Sequence, residues 1–171
     1  MRRFAILSSA SGSGKTTLGQ ELARRLDVPF HELDALHHGP GWTEASAEEL
    51  RVRVEPLLAG DAWIVDGAYR GKLGDLVLES ADVVVWLDLP RRVWLPRLLR
   101  RTLRRMITRE ELWNENRETM RNVVFSRDSL VLYALRNYSR RRRLYPEELA
   151  PYDVVRLRTP KEVARWLARF D

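Results

Sequence analysis

Nine residues near the start of this 171-residue chain restrict its fold more than any other feature. Phe4 to Ser8 is a short apolar run of the kind that makes a buried strand. Ser9-Ala10-Ser11-Gly12-Ser13-Gly14-Lys15-Thr16-Thr17 follows, and a helical stretch runs from about Lys15 to Leu26. A strand that enters a helix through a Gly/Ser loop aims backbone N–H groups and the positive end of the helix at one point, which suits phosphate. Gly12 and Gly14 let the backbone turn inward. Lys15 then reaches the β- and γ-phosphates of ATP, and the Thr16 hydroxyl completes the coordination sphere of Mg2+. The expected ATP contacts here are Gly12, Ser13, Gly14, Lys15, Thr16 and Thr17. Ser9 stands where the pattern G-x-x-x-x-G-K-[ST] has its first glycine, and a small residue fits there if its φ stays negative.

Strands and helices alternate through the rest of the chain. Val28 to Leu33, Trp63 to Val65, Val83 to Leu87 and Val154 to Leu157 read as further strands. Ala45 to Leu58 and Pro160 to Phe170 read as helices, the second with proline in its first turn. This rhythm predicts an α/β fold of three layers, a five-stranded parallel sheet flanked by helices, in one domain over residues 1–171. The stretch from Arg91 to about Arg143 departs from it. It is helical in period and rich in arginine, with no strand candidate, and it predicts a helix, an insert and a second helix over the sheet edge. Residues of about 102–135 form the expected lid.

Composition narrows the function. At 44% hydrophobic residues the chain can bury a core, and no apolar run is long enough to span a membrane. Cysteine is absent, so there is no disulfide framework and no thiolate chemistry, which fits a cytoplasmic setting. The net charge of +6 comes almost wholly from arginine, since Lys15, Lys72 and Lys161 are the only lysines. Arginine grips phosphate bidentately, so the balance points to polyanions such as nucleotides or nucleic acid. His37 and His38 are neighbours and only His31 accompanies them, which argues against a zinc site.

A phosphate loop needs an acidic partner that holds magnesium through water. Asp66, after Trp63-Ile64-Val65, and Asp88, after Val83 to Leu87, are the two candidates. Ile64-Val65-Asp66-Gly67-Ala68-Tyr69-Arg70 resembles the LDGFPR segment of adenylate kinases. That resemblance implies that Asp66 orients magnesium-bound water and that Arg70 grips an acceptor phosphate, with Gly67 also at the acceptor. Phe and Pro are replaced here by Ala68 and Tyr69. Leu87-Asp88-Leu89-Pro90 is similar to the strand and proline that precede the lid in the same kinases. Arg97 and Arg101 match the spacing of their two lid arginines, and an i, i+4 pair can point both guanidiniums at one polyphosphate. A bacterial group of adenylate-kinase-related P-loop proteins, the DNA topology modulation proteins, is more similar still. Its pattern is matched by His31-Glu32-Leu33-Asp34-Ala35-Leu36, Pro40-Gly41-Trp42, Trp63 to Tyr69, Trp86 to Arg91, Arg140 to Arg143 and Arg156-Leu157-Arg158. The likeness covers most of the chain and implies a P-loop NTPase fold with an arginine-rich helical lid.

On the acceptor side, Asp34 is expected to end strand two and face the crevice where such folds bind ligands. Asp34-Ala35-Leu36-His37 is similar to a segment of gluconate kinases, and shikimate kinases carry an Asp at a similar place. An alcohol acceptor would make Asp34 the general base or orienting group. A phosphate acceptor would need no base, and a helix cap or turn is the plain structural use. Trp42 could stack on a flat acceptor or simply pack on the sheet edge. Arg117 is expected to line the acceptor site, with Arg136 and Arg140 where related kinases place transition-state arginines. Thr159 and Pro160 fall where the adenine ring rests in this fold.

The expected activity is ATP-dependent phosphoryl transfer to a small molecule, with Mg2+ as cofactor and Lys15, Asp34, Asp66, Arg97 and Arg101 as the catalytic set. The partners are ATP and an acceptor that is either a nucleotide or a non-nucleotide. A monomer is favoured over an oligomer. Two alternatives stay open, a nucleic-acid-binding or DNA-topology-linked protein and an ATP-binding regulatory protein.

Overall fold

The computed structural model describes residues 2–108 and 130–171. Five parallel strands form one sheet: β1 (Arg3–Ser8), β2 (Phe30–Glu32), β3 (Trp63–Asp66), β4 (Val83–Leu87) and β5 (Val154–Leu157). Their order is β2-β3-β1-β4-β5. The chain leaves β1 at the centre and builds outward on both sides, so the C-terminal end of β1 lies at the switch point where open α/β sheets bind ligands.

The strands are apolar on both faces because helices cover both. Ala5 and Leu7 of β1 join Trp63, Val65, Val84 and Trp86 on one face. There they meet Leu50, Val54 and Leu58 of α3 (Ala47–Leu58), with Leu73 of α4 (Arg70–Leu73) and Val77 and Leu78 of α5 (Leu76–Ser80). Phe4 and Ile6 point the other way, with Ile64, Val83, Val85 and Leu87, onto Leu18 and Leu22 of α1 (Lys15–Leu26) and Trp166 of α8 (Pro160–Leu167). The period-2 alternation of β1 is thus used twice, once for each core layer.

Local chemistry sets the ends of these elements. Ser46 caps α3 in a capping box with Glu49, and Thr159 caps α8 through the Glu162 N–H. The helix expected from Ala45 therefore starts at Ala47. The second strand is shorter than expected, because residues 33–37 turn into a helix, α2 (Leu33–His37). Asp34 accordingly sits in the first turn of α2 and does not end β2.

The arginine-rich stretch forms α6 (Arg91–Thr108) and α7 (Leu130–Glu148). Trp94 and Leu98 of α6 and Ala134 and Tyr138 of α7 bury themselves around Ala10 of the glycine-containing loop. The pair packs over that loop, where an edge position was expected. Residues 102–108 and 130–135 of the expected lid continue α6 and α7, and the rest of it, with Arg117, lies outside the described residues.

Asp82 fastens the start of β1. Its carboxylate accepts bonds from the Arg2 and Arg3 backbone N–H groups at 2.8 and 3.1 Å and from Arg3 Nε and Nη2 at 3.0 and 2.7 Å. The Arg3 side chain is the main reason that the carboxyl falls from its ordinary 3.8 to about 2. A lowered folded-state value stabilises the fold above the unfolded value and loses that effect as pH falls. The contribution should be complete above about pH 4 and fade on acidification toward about pH 2. Asp82→Asn is expected to flatten the dependence of Tm on pH across that window. An equal acid slope in both proteins would assign the slope to other carboxylates.

Candidate active site

The loop after β1 is shaped by two glycines and a serine. Gly12 and Gly14 have φ of 78° and 89°, in the left-handed region. A Cβ on Gly12 would meet Leu98 Cβ at 2.9 Å and the Trp94 carbonyl oxygen at 3.0 Å, so α6 can rest on the loop only if this residue is glycine. A Cβ on Gly14 would lie 3.9 Å from Arg97 Nη1, which brings the Arg97 guanidinium over the loop. Ser9 does more than tolerate the glycine position. It is buried, donates to Asp88 Oδ1 at 2.9 Å and accepts from Trp86 Nε1 at 2.9 Å.

The two acidic candidates separate cleanly. Lys15 Nζ lies 3.0 Å from Asp66 Oδ1, and Thr16 Oγ1 is 2.7 Å from Asp66 Oδ2. Asp88 faces Ser9, Arg142 and Arg156 instead. A third carboxylate was not foreseen: Glu32 Oε1 is 3.0 Å from the same Thr16 hydroxyl. The parallel register that sets Glu32 beside Asp66 explains its arrival. One hydroxyl proton faces two carboxylates there, and all the donors are hard oxygens. That set fits Mg2+, which takes one or two carboxylates and completes its shell with water and substrate phosphates. Among the described residues no group of three or more His, Cys, Asp or Glu could hold a metal alone. Thr16, Asp66 and Glu32 would hold the ion, and it would supply charge neutralisation across the phosphates.

A cleft of about 2080 Å3 opens above the loop. Gly12, Ser13, Gly14, Lys15, Thr16, Thr17, Arg97, Arg101 and Pro160 line it, and so do Asp34, Trp42, Gly67, Arg70 and Arg140. Thr159 does not line it, because its hydroxyl is committed to capping α8. Arg136 is exposed and does not line it either. Burial of Ala134 and Tyr138 fixes the rotation of α7, which turns Asn137, Arg140 and Arg141 inward and leaves Arg136 outside. Arg141 lines the cleft, with Nη1 3.3 Å from the Ser8 carbonyl oxygen.

The part of the cleft around Asp34 is crossed by charge pairs. Tyr69 Oη donates to Asp34 Oδ1 at 2.6 Å. Burial, and then the Asp34 charge, push the Tyr69 phenol up, so it stays a donor. Arg70 is bound by Asp75 at 2.5 Å and by Glu148 at 2.7 Å, tying α4 to α7. Lys72 bonds Glu44 at 3.0 Å. His37, held neutral chiefly by burial, packs between Tyr69 and His38, each 4.6 Å away, and Trp42 meets the edge of His38 at 5.5 Å. Trp42 and Tyr69 have φ of 60° and 46°, and non-glycine residues in that region collect at ligand sites. Among the described residues no helix is long and apolar enough to cross a membrane.

Comparison with known proteins points the same way. The family described as Shikimate kinase matches residues 11–39, the loop, α1 and the turn that carries Asp34. A shikimate kinase of Syntrophus aciditrophicus (strain SB) is 59% identical over 34 residues, which is 20% of this chain and 17% of that protein. Among solved structures, shikimate kinase from Acinetobacter baumannii in complex with shikimate aligns with TM-score 0.59 at 19% identity, covering 99% of this chain and 90% of that one. Shikimate kinase from Bacteroides thetaiotaomicron aligns with TM-score 0.59 at 15% identity, covering 98% and 95%. A gluconokinase from Sinorhizobium meliloti 1021 aligns with TM-score 0.54 at 20% identity, covering 98% and 92%. The fold is therefore that of the P-loop kinases over nearly the whole chain, and the sequence likeness is local to the phosphate loop and the turn after β2.

Proposed function

We propose that this chain is an ATP-dependent small-molecule kinase whose acceptor presents a hydroxyl group. The carrying observation is the pairing across the cleft of a loop built for a triphosphate with Asp34, a carboxylate in the acceptor half. The charge balance beside Asp34 favours a hydroxyl over a phosphate. Arg70, which would grip an acceptor phosphate, is neutralised by Asp75 and Glu148, and Glu44 is matched by Lys72. Around Arg70 and Lys72 the carboxylates of Asp34, Asp75, Glu148 and Glu44 outnumber the cations, which opposes a phosphate beside Asp34.

The γ-phosphoryl would pass in line to the acceptor oxygen. Lys15, Arg97 and Arg101 would hold the charge that spreads over it, and Asp34 would orient the hydroxyl and take its proton. Arg140 and Arg141 are placed to stabilise the transferring group from α7. Thr16, Asp66 and Glu32 would hold Mg2+, which would supply neutralisation of phosphate charge. Shikimate-like and gluconate-like polyols are the first acceptor class to test, since the local likeness to shikimate kinase includes the Asp34 turn. The narrower likeness to the DNA topology modulation group rests on sequence motifs and names no acceptor.

The test is ATP turnover by the purified protein against a panel of shikimate, gluconate, other polyols, nucleosides and nucleoside monophosphates. Stimulation by a hydroxyl acceptor is expected. Stimulation by monophosphates alone would move the reading to a nucleotide kinase, and none with any acceptor would favour the regulatory alternative.

A further inference from the structure

A second, smaller cleft of about 470 Å3 lies between the start of α6, α7 and β5, and it shares no lining residue with the nucleotide cleft. Arg91, Arg142, Arg143 and Arg156 line it, with Tyr138 and Ser139. Two of these arginines also bind the Asp88 carboxylate, which is fully shielded from solvent. It receives Arg156 Nη2 at 2.6 Å, Arg156 Nε at 3.1 Å and Arg142 Nε at 2.9 Å.

Three of these guanidiniums lie over aromatic rings. Arg156 lies 4.0 Å over the Trp86 ring, and Arg91 and Arg142 lie 5.2 and 5.3 Å from the centre of the Tyr138 ring. Arg91 also donates to Ser139 Oγ at 2.9 Å, and Arg142 to Tyr138 Oη at 3.0 Å. Four guanidiniums thus line the cleft, and two of them share one buried carboxylate. Stacked, pre-oriented arginines with a large excess of positive charge are the donor set that binds phosphate bidentately at low entropic cost.

We propose that this cleft is a second anion site, for a small molecule bearing a phosphate or diphosphate group, and that its occupant is felt by the phosphate loop. The route is short. Asp88 Oδ1, which faces Arg142, also accepts the Ser9 hydroxyl, and Ser9 opens the loop. An anion that draws Arg142 or Arg156 away from Asp88 removes an ion-pair partner that positions the carboxylate holding Ser9. This second step rests on the reading of the loop as a nucleotide site, whereas binding in the cleft does not.

The probe is inorganic pyrophosphate, titrated calorimetrically into protein saturated with Mg-ADP. Wild type is expected to bind it, and Arg91→Ala/Arg143→Ala to bind it at least about tenfold more weakly with an unchanged Tm. Arg143→Ala alone, which leaves the Asp88 and Tyr138 contacts intact, should show part of the loss. No binding beyond ADP, or equal binding in all three proteins, would overturn the site. A short DNA duplex that binds the same arginines more tightly than pyrophosphate would overturn the small-molecule assignment. The ADP Kd, measured with and without saturating pyrophosphate, should shift at least about threefold in wild type and stay constant in the double variant. Equal values in wild type, or a shift that survives in the variant, would overturn the link to the loop. Failure of Mg-ADP itself to bind would count against the nucleotide reading and leave the pyrophosphate titration standing.

Discussion

Lys15→Ala is expected to lower ATP-dependent turnover by about 10²–10³-fold or more and to weaken Mg-ATP binding at least about tenfold. The reason lies in the charge around the loop. Lys15 Nζ is 3.0 Å from Asp66, and Thr16 draws both Asp66 and Glu32 toward the same point. Without the ammonium, two carboxylates face the place where the triphosphate must lie. Repulsion then opposes the ground state, and the transition state loses the cation nearest the transferring group. The structural effect should be smaller. Asp66 is buried but keeps the Thr16 hydroxyl, so a stability loss of about 1–3 kcal/mol is expected. Turnover and thermal denaturation measured on the same preparation separate the two effects. If ATP affinity and turnover survive while Tm falls, Lys15 serves chiefly as the structural partner of Asp66, and the loop would not be a catalytic phosphate site.

The parts of the molecule that could be read from sequence are those set by local chemistry. Buried parallel strands need continuous apolar runs, and a glycine loop between strand and helix has few other uses, so the sheet and the loop that borders the cleft were legible. The acceptor half depends on contacts across long separations. Glu32 reaches Thr16 only because β2 pairs in register with β3. Arg70 is neutralised in part by Glu148, seventy-eight positions away. The inward face of α7 cannot be found from arginine spacing, because arginines occupy several faces. The phase is set by Ala134 and Tyr138 against Trp94 and Leu98, which favours Arg141 over Arg136. Thr159 shows the same limit in another form, since a hydroxyl beside a ligand site and a hydroxyl that caps a helix look alike in sequence. Asp34 lies in α2 and not at the end of β2. Leu33 and His37, buried one helical turn apart, draw the chain into α2 straight after β2.

That position in α2 makes Asp34→Asn the sharpest test of the acceptor chemistry. The substitution keeps size and removes charge and basicity. The Tyr69 hydroxyl can still bond the amide, so the fold around α2 should hold, and Tm should change little. Acceptor-stimulated turnover is expected to fall by about 10²–10⁴-fold if Asp34 takes the proton of the acceptor hydroxyl, with Mg-ATP affinity nearly unchanged. Tyr69→Phe supplies the control. It frees Asp34 from its donor and removes only a positioning bond, so a loss of about tenfold is the expected scale. Loss of turnover in Asp34→Asn with a normal acceptor KM would mark Asp34 as acting on the transition state, whereas a raised KM at constant kcat would reduce it to a binding group. Full activity in Asp34→Asn would remove the main argument for a hydroxyl acceptor. The carboxylate would then be a first-turn residue of α2 whose charge balances the helix, and a phosphate acceptor gripped by Arg140 and Arg141 would become the better reading.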